Sequence, residues 1–328
     1  MLSGPFLSNF VFLLFEYHAH LTHHFLRCAK SAERVHHLSV VYGTNDRGGQ
    51  DDENHDSLVF ASGKGYLETV KFLVSRGADV HTNSDKALVC ASENGHLEVV
   101  QFLVSRGADV NNGRALECAS ENGHLDVVKF LVGNEADIHT NEDRALGYAS
   151  VNGHLDVVRF LVSRGADIHA NYGEALRCAS VSGHLEVMKF LIGCGADVHA
   201  DNGSALSYSS MYGCLEVVQF LVSRGADVHA YDDGALRFAS TNGHLEVAKF
   251  LVSRGADIHA CDDYALRWAS ENGHLEVVQF LVLWGADVHA KDDEALQLAS
   301  KHGHPRVAKF LVLNGSNVHH TNDGSLNE

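Results

Sequence analysis

The chain has 328 residues, 45% of them hydrophobic, with 42 acidic against 25 basic side chains and a formal net charge of −17 at neutral pH. That balance argues against nucleic acid or an anionic membrane surface as partner, and no apolar run reaches the ~18 residues of a membrane span. The 24 histidines qualify the charge, because protonating them all would reverse its sign in mild acid.

The first 56 residues differ from everything after them. Phe10 to Phe15 is the one targeting candidate, but no Lys or Arg precedes it and no convincing small-residue cleavage site follows, which disfavours a signal peptide. His18, His20, His23 and His24 form the densest histidine cluster. On a helix His20 and His24 would share a face able to capture a metal weakly, whereas a solvated His-rich tail is the plainer reading. Further on, Leu26-Arg27-Cys28-Ala29 echoes Leu176-Arg177-Cys178-Ala179, and His37-Leu38-Ser39-Val40-Val41 echoes His96-Leu97-Glu98-Val99-Val100. Two readings stand: a decayed tenth repeat unit acting as a partial cap, or a disordered tail with a chance likeness. Asn45 to Asp56 is acidic and Gly-containing, which predicts a loop.

From Ala61 the chain repeats. Ala-Ser (once Ser-Ser) recurs at Ala61, Ala91, Ala119, Ala149, Ala179, Ser209, Ala239, Ala269 and Ala299, in steps of 30 residues except for the 28 from Ala91 to Ala119. A fixed period of this length predicts a stack of small units that bury their apolar faces against one another. In the unit at Ala269, Leu275, Val277, Val278, Phe280, Leu281 and Val282 lie on a helical period, with Glu276 in the first turn. The usual ending, as at Ser253-Arg254-Gly255, places a cation in the last turn and a glycine in the left-handed cap. The preceding helix is predicted to start near Asp293-Glu294-Ala295-Leu296, with Asp293 as N-cap, and to end at Gly303.

Residues 57–328 resemble the ankyrin repeat. The likeness rests on G-H-L-E-V-V-x-F-L-V-x-x-G-A-D-V, seen at Gly95 to Val110, Gly123 to Ile138 and Gly153 to Ile168 and onward. It implies an all-α solenoid of nine helix-turn-helix units. The chain departs from the family's 33-residue unit and its T-P-L-H opener: the step is 30, the opener is x-A-L-x as in Glu174-Ala175-Leu176-Arg177, and His usually follows A-D-V, with Asn only at Asn111. The missing residues fall where the family carries a projecting β-hairpin finger, so a shortened finger, closer to a tight turn, and a shallower groove are expected. The 30-residue unit is similar to the ankyrin proteins that giant amoeba-infecting (Mimivirus-like) viruses encode, which would imply host cytoplasm as the location.

Chemistry finds little support. Gly-His histidines recur once per unit, as do the V-H histidines, with neighbours about 10 Å apart as helix packing implies, and such ladders cannot converge on a zinc ion. No metal or cofactor is expected. Ser, His and Glu abound, but a catalytic constellation is unique in space whereas repeated copies signal packing, so a non-enzymatic protein is the reading. Cys90, Cys118 and Cys178 share a slot with Tyr148, Tyr208, Phe238, Trp268 and Leu298. That composition predicts apolar core packing and reduced thiols in a cytosolic setting. Arg177, Arg237 and Arg267 share another slot, read either as an anion-contacting stripe or as partners for the Asp-rich turns Asp232-Asp233 and Asp262-Asp263.

If the repeated positions build a scaffold, the varied exposed ones carry specificity. The pairs before Gly-His are polar in the end units, but the middle units carry Val151, Val181 and Met211 with Tyr212, and the turns add Tyr172, Tyr231 and Tyr264. Such a patch rimmed by acids points to a protein partner bound on the concave face; drift among near-duplicate units is the competing explanation. Leu283, Trp284 and Leu313, where other units have Ser-Arg, are a second candidate, for self-association at the C-terminal end. Lys301, His302, Arg306 and Lys309 suggest partial capping there, and Pro305 suits the first position of its helix.

Overall fold

The computed structural model describes residues 50–111 and 114–316. Its helices pair in chain order: α1 (Gln50–Gly63) with α2 (Leu67–Ser75), α3 (Thr82–Glu93) with α4 (Leu97–Ser105), α5 (Ala115–Glu121) with α6 (Leu125–Gly133), α7 (Thr140–Val151) with α8 (Leu155–Ser163), α9 (Ala170–Val181) with α10 (Leu185–Gly193), α11 (Ala200–Met211) with α12 (Leu215–Ser223), α13 (Ala230–Thr241) with α14 (Leu245–Ser253), α15 (Ala260–Glu271) with α16 (Leu275–Leu283), and α17 (Ala290–Lys301) with α18 (Pro305–Leu313). Among the described residues all 18 elements are helices and there is no strand. The stack from Asn54 onward forms one compact unit. Within it the first helices of successive pairs pack on one another much more closely than the second helices do, so they line its tighter side.

Helices this short are unstable alone, and burial between neighbours supplies the stability. Val217, Val218 and Leu221 on α12, with their equivalents from α4 to α16, are all but inaccessible to solvent, as are Leu206 and Leu236 from the first helices. The glycine of the Ser-Arg-Gly ending behaves as expected at Gly77, Gly107, Gly165, Gly225 and Gly255, all left-handed with φ between 93 and 102°, while the arginine is the C-cap itself rather than a residue of the last turn. The arginine before each glycine also lies over the phenylalanine of its own helix, Arg106 on Phe102 at 4.9 Å and Arg254 on Phe250 at 4.9 Å. Pro305 opens α18.

The linker between pairs is the tight turn expected in place of a projecting finger, in a conformation the sequence did not announce. In place of a finger, three consecutive residues take left-handed conformation: Asn83-Ser84-Asp85, Asn141-Glu142-Asp143, Asn171-Tyr172-Gly173, Asp201-Asn202-Gly203, Tyr231-Asp232-Asp233, Cys261-Asp262-Asp263 and Lys291-Asp292-Asp293, with φ from 47 to 76°. Each non-glycine costs roughly 1–2 kcal/mol there, and Asn and Asp tolerate it best. The turn closes by one hydrogen bond, for example Asp263 N–H to His259 O at 3.2 Å and Gly203 N–H to His199 O at 3.1 Å. Asp293 is therefore the last residue of this turn, in left-handed rather than the extended conformation of an N-cap. Its carboxylate is turned to His289 Nδ1 at 2.9 Å.

Those buried aspartates join the units. Asp85, Asp143, Asp233 and Asp263 each accept the backbone N–H of an aspartate 24 residues later, Asp109, Asp167, Asp257 and Asp287, at 2.8–3.1 Å. In the unit two residues short, Asn111 does the same for Asp137 at 2.7 Å, which explains how one amide stands in for a longer turn. A second correction falls at the start: Gln50 to Asp56, expected as loop, belongs to α1. The N-terminal echo at 26–41 and the histidine cluster at 18–24 lie outside the described residues.

Candidate functional site

The turn histidines carry the regularity that the stack needs. His96 Nε2 meets the carbonyl oxygen of Gly63 at 3.2 Å, His124 that of Glu93 at 3.0 Å, His154 that of Glu121 at 3.0 Å and His244 that of Met211 at 2.8 Å. Each imidazole reaches back to the previous unit and lies against its turn glycine, where a Cβ on Gly65, Gly95, Gly123 or Gly213 would meet the ring at 2.5 Å. Backbone bonding was legible from the Gly-His motif; its direction, one unit backwards, was not. Burial holds the imidazoles of His154 and His274 below their ordinary value. Cys214 breaks the ladder, its sulfur 3.1 Å from the Cβ position of Gly183.

The side chains of the first helices fall into two groups. Leucine and alanine enter the core, while the slot of Cys90, Tyr148, Cys178, Tyr208, Phe238, Trp268 and Leu298 is half-buried. That slot was expected to be core; only Cys118 is fully buried there. It forms a row along the first-helix face, and Val151, Val181 and Met211, also half-buried, lie three residues on and so on the same face. The three-residue spacing was the available clue to this wider row. Burial pushes the Tyr208 phenol up to about 12 and raises those of Tyr148, Tyr212 and Tyr264, so these rings are neutral phenols at physiological pH.

Of the residues singled out in sequence, Val151, Val181, Met211 and the exposed Tyr212 come together at the C-terminal ends of α7, α9 and α11. Tyr172, 77% exposed, and Tyr231 occupy the left-handed turns at the opposite end. From Gly173 to Val181 the helix rises about 12 Å at 1.5 Å per residue, so one small patch cannot hold both sets. Tyr264 is half-buried and packs edge-on against Trp268 with ring centres 5.1 Å apart.

The arginine slot bridges these ends. Arg177 reaches Asp201 at 3.2 Å. Arg267 pairs with Glu294 and donates to the carbonyls of Asp262 and Cys261 at 2.9 and 3.0 Å. Arg237 donates to the Tyr231 carbonyl at 2.6 Å. The turns are indeed the partners, mostly through backbone oxygens rather than the predicted aspartate side chains, because left-handed turns aim carbonyls at the helix that follows.

At the far end Leu283 and Leu313 are 83% and 75% exposed, and Trp284 56%. Trp284 stands where other units have the stacking arginine, and its ring lies 5.7 Å from that of Phe280, which it buries. Tyr66 and Phe72 are exposed in the first described pair.

A family model for ankyrin repeats matches the chain over residues 25–114, 111–172, 175–262 and 236–322. The chain belongs to the ankyrin repeat family. The first match begins ahead of the described residues and takes in the echo at 26–41. A comparison with curated proteins finds none that matches. Ankyrin repeats are generally protein–protein interaction modules and typically lack catalysis. Among the described residues no group of three or more His, Cys, Asp or Glu side chains converges on one point, and no helix is long and apolar enough to cross a membrane.

Proposed function

We propose that this ankyrin-repeat protein binds a protein partner across its first-helix face, from the unit of Val151 to that of Trp268. One observation carries the reading: the positions at which the units differ most, Val151, Val181, Met211, Tyr208, Phe238 and Trp268, stand side by side on that face, half-exposed, while the repeated positions are spent on the core and on the histidine ladder. Aromatic rings and Met are the side chains that interfaces favour. The test is capture from cell lysate by the wild-type chain and by Met211→Lys/Tyr212→Ser, with folding checked by circular dichroism. A protein retained by the first and weakened tenfold or more on the second supports the reading; equal capture removes this part of the face from it.

A second reading, self-association through Leu283, Trp284 and Leu313, is favoured by the exposure of two leucines in equivalent places on adjacent units. Light scattering with Leu283→Lys/Leu313→Lys separates the two, since only self-association predicts a mass that halves.

A further inference from the structure

Arg177, Arg237 and Arg267 occupy the same place in three units, and two of them show what that place is built to hold. Arg177 has the Asp201 carboxylate and Arg267 the Glu294 carboxylate, each from the unit that follows. The residues equivalent to Asp201 and Glu294 beside Arg237 are Cys261 and Tyr264, and among the described residues Arg237 makes no ion pair. Its Nη2 is taken up by the Tyr231 carbonyl; its Nε is shielded from solvent with no acceptor; Nη1 has no partner.

The guanidinium is nevertheless fixed. It lies 5.5 Å from the Tyr231 ring, 5.0 Å from that of Tyr264 and 6.0 Å from that of Phe238. Tyr231 can lie down on the face because position 234 is glycine: a Cβ there would meet its Cδ1 at 2.9 Å. Tyr231 and Phe238 stack at 6.3 Å. Arginine held between aromatic rings loses little freedom when it pairs, which is the condition for a strong charge-assisted contact.

We propose that Arg237, framed by Tyr231 and Tyr264, takes a carboxylate supplied by a partner peptide in the place that Asp201 fills beside Arg177 and Glu294 beside Arg267. This deepens the proposed function and rests on it. The chain's net negative charge does not forbid the contact, since fields are screened beyond about 8 Å at physiological salt, and the nearby Asp262 is held by Lys291 at 3.0 Å. A single guanidinium beside the exposed Asp232 suits a singly charged carboxylate better than a doubly charged phosphate.

The probe is a short peptide of alternating Leu and Glu, acetylated and amidated, titrated by calorimetry into the full chain. A second arm replaces Glu by Gln and frees the C-terminus, so that a side-chain carboxylate is distinguished from a terminal one; a Gln peptide with blocked ends is the control. Binding of either acidic arm that falls at least fivefold for Arg237→Gln is expected. Cys261→Asp should weaken it similarly without touching Arg237, by supplying an internal carboxylate at a left-handed position where Asp201 already shows that Asp is accommodated. Equal binding of the blocked Gln peptide, no binding by the wild type up to millimolar peptide, or indifference to both substitutions would overturn the inference. A lysate partner captured equally by wild type and Arg237→Gln would leave the broader protein-binding reading standing.

Discussion

Replacing Gly243 by alanine tests whether the histidine ladder joins the units. Gly243 has φ +78°, and an added Cβ would lie 2.5 Å from His274 Nδ1 and 2.8 Å from its Cε1. Left-handed conformation alone costs an alanine roughly 1–2 kcal/mol. The imidazole must also swing aside, breaking its bond to the Thr241 carbonyl, a loss of about 1 kcal/mol or more once that carbonyl is left unpaired. The sum is about 2–4 kcal/mol. Gly255 is the control: its φ is +98° but nothing lies within 4 Å of a Cβ there, so Gly255→Ala should show the strain alone, roughly 1–2 kcal/mol. Long arrays do not unfold in one step, so the readout has to be local: urea titration followed by Trp268 fluorescence in a Trp284→Phe background. Combining Gly243→Ala with His274→Ala should return the glycine's cost to the strain value. Equal losses for Gly243→Ala and Gly255→Ala, or additivity in the double variant, would refute the interlock.

Other outcomes follow from the same contacts. Burial, with His244 and His304 nearby, holds His274 below its ordinary value despite a backbone bond that favours the charged form, so between that value and the unfolded ~6.5 the unfolded chain binds more protons. The contribution is full above about pH 6.5 and is lost as pH falls through the window below it; wild type should be more stable than His274→Gln at pH 7.5 and lose that advantage towards pH 5, and a pH-independent difference would contradict it. Asp263→Ala should cost about 2–3 kcal/mol, because it leaves His259 and the Asp287 amide without their acceptor, whereas Asp263→Asn should cost under about 1 kcal/mol, as Asn111 already accepts the equivalent amide of Asp137; amide exchange at Asp287 reads the difference. Burial pushes the Cys118 and Cys178 thiols up to about 12, so mass-mapped alkylation at pH 8 should label the exposed Cys194 and Cys261 many times faster, and equal rates would contradict the packing. Residues 26–42, if they form a capping unit, should show slowed amide exchange relative to a 26–42 peptide; identical rates favour the tail.

The helices, their order and their core were readable because burial repeats: every unit has a leucine in the place of Leu221 and an apolar residue in that of Val218, and periodicity reports buried faces directly. The left-handed turns were not. A run such as Tyr231-Asp232-Asp233 carries no propensity for three consecutive positive φ values, and the conformation is held by tertiary bonds, from Asp233 to Asp257 and from Arg237 to Tyr231, that no local pattern announces. The same gap explains the arginines. Acidic turns beside a repeated Arg suggested ion pairs, but only a structure shows that the turn presents carbonyls to Arg237 and Arg267.

The misplaced slot of Cys178, Tyr208, Phe238 and Trp268 follows from a limit of composition as evidence. Apolar identity predicts removal from water, yet it does not distinguish removal by the chain's own next unit from removal by another molecule. Leu206 and Tyr208 are both apolar-facing in sequence, but one is inaccessible and the other half-open. What separates them is variation: the leucine recurs in each unit because its pocket is the same in each unit, while the slot ranges from Cys to Trp because nothing in the stack fixes its shape. In a repeat protein the internal copies therefore do the work that an alignment would do elsewhere, and Arg237, whose counterparts Arg177 and Arg267 keep their carboxylates, is where that comparison becomes specific enough to name a ligand chemistry.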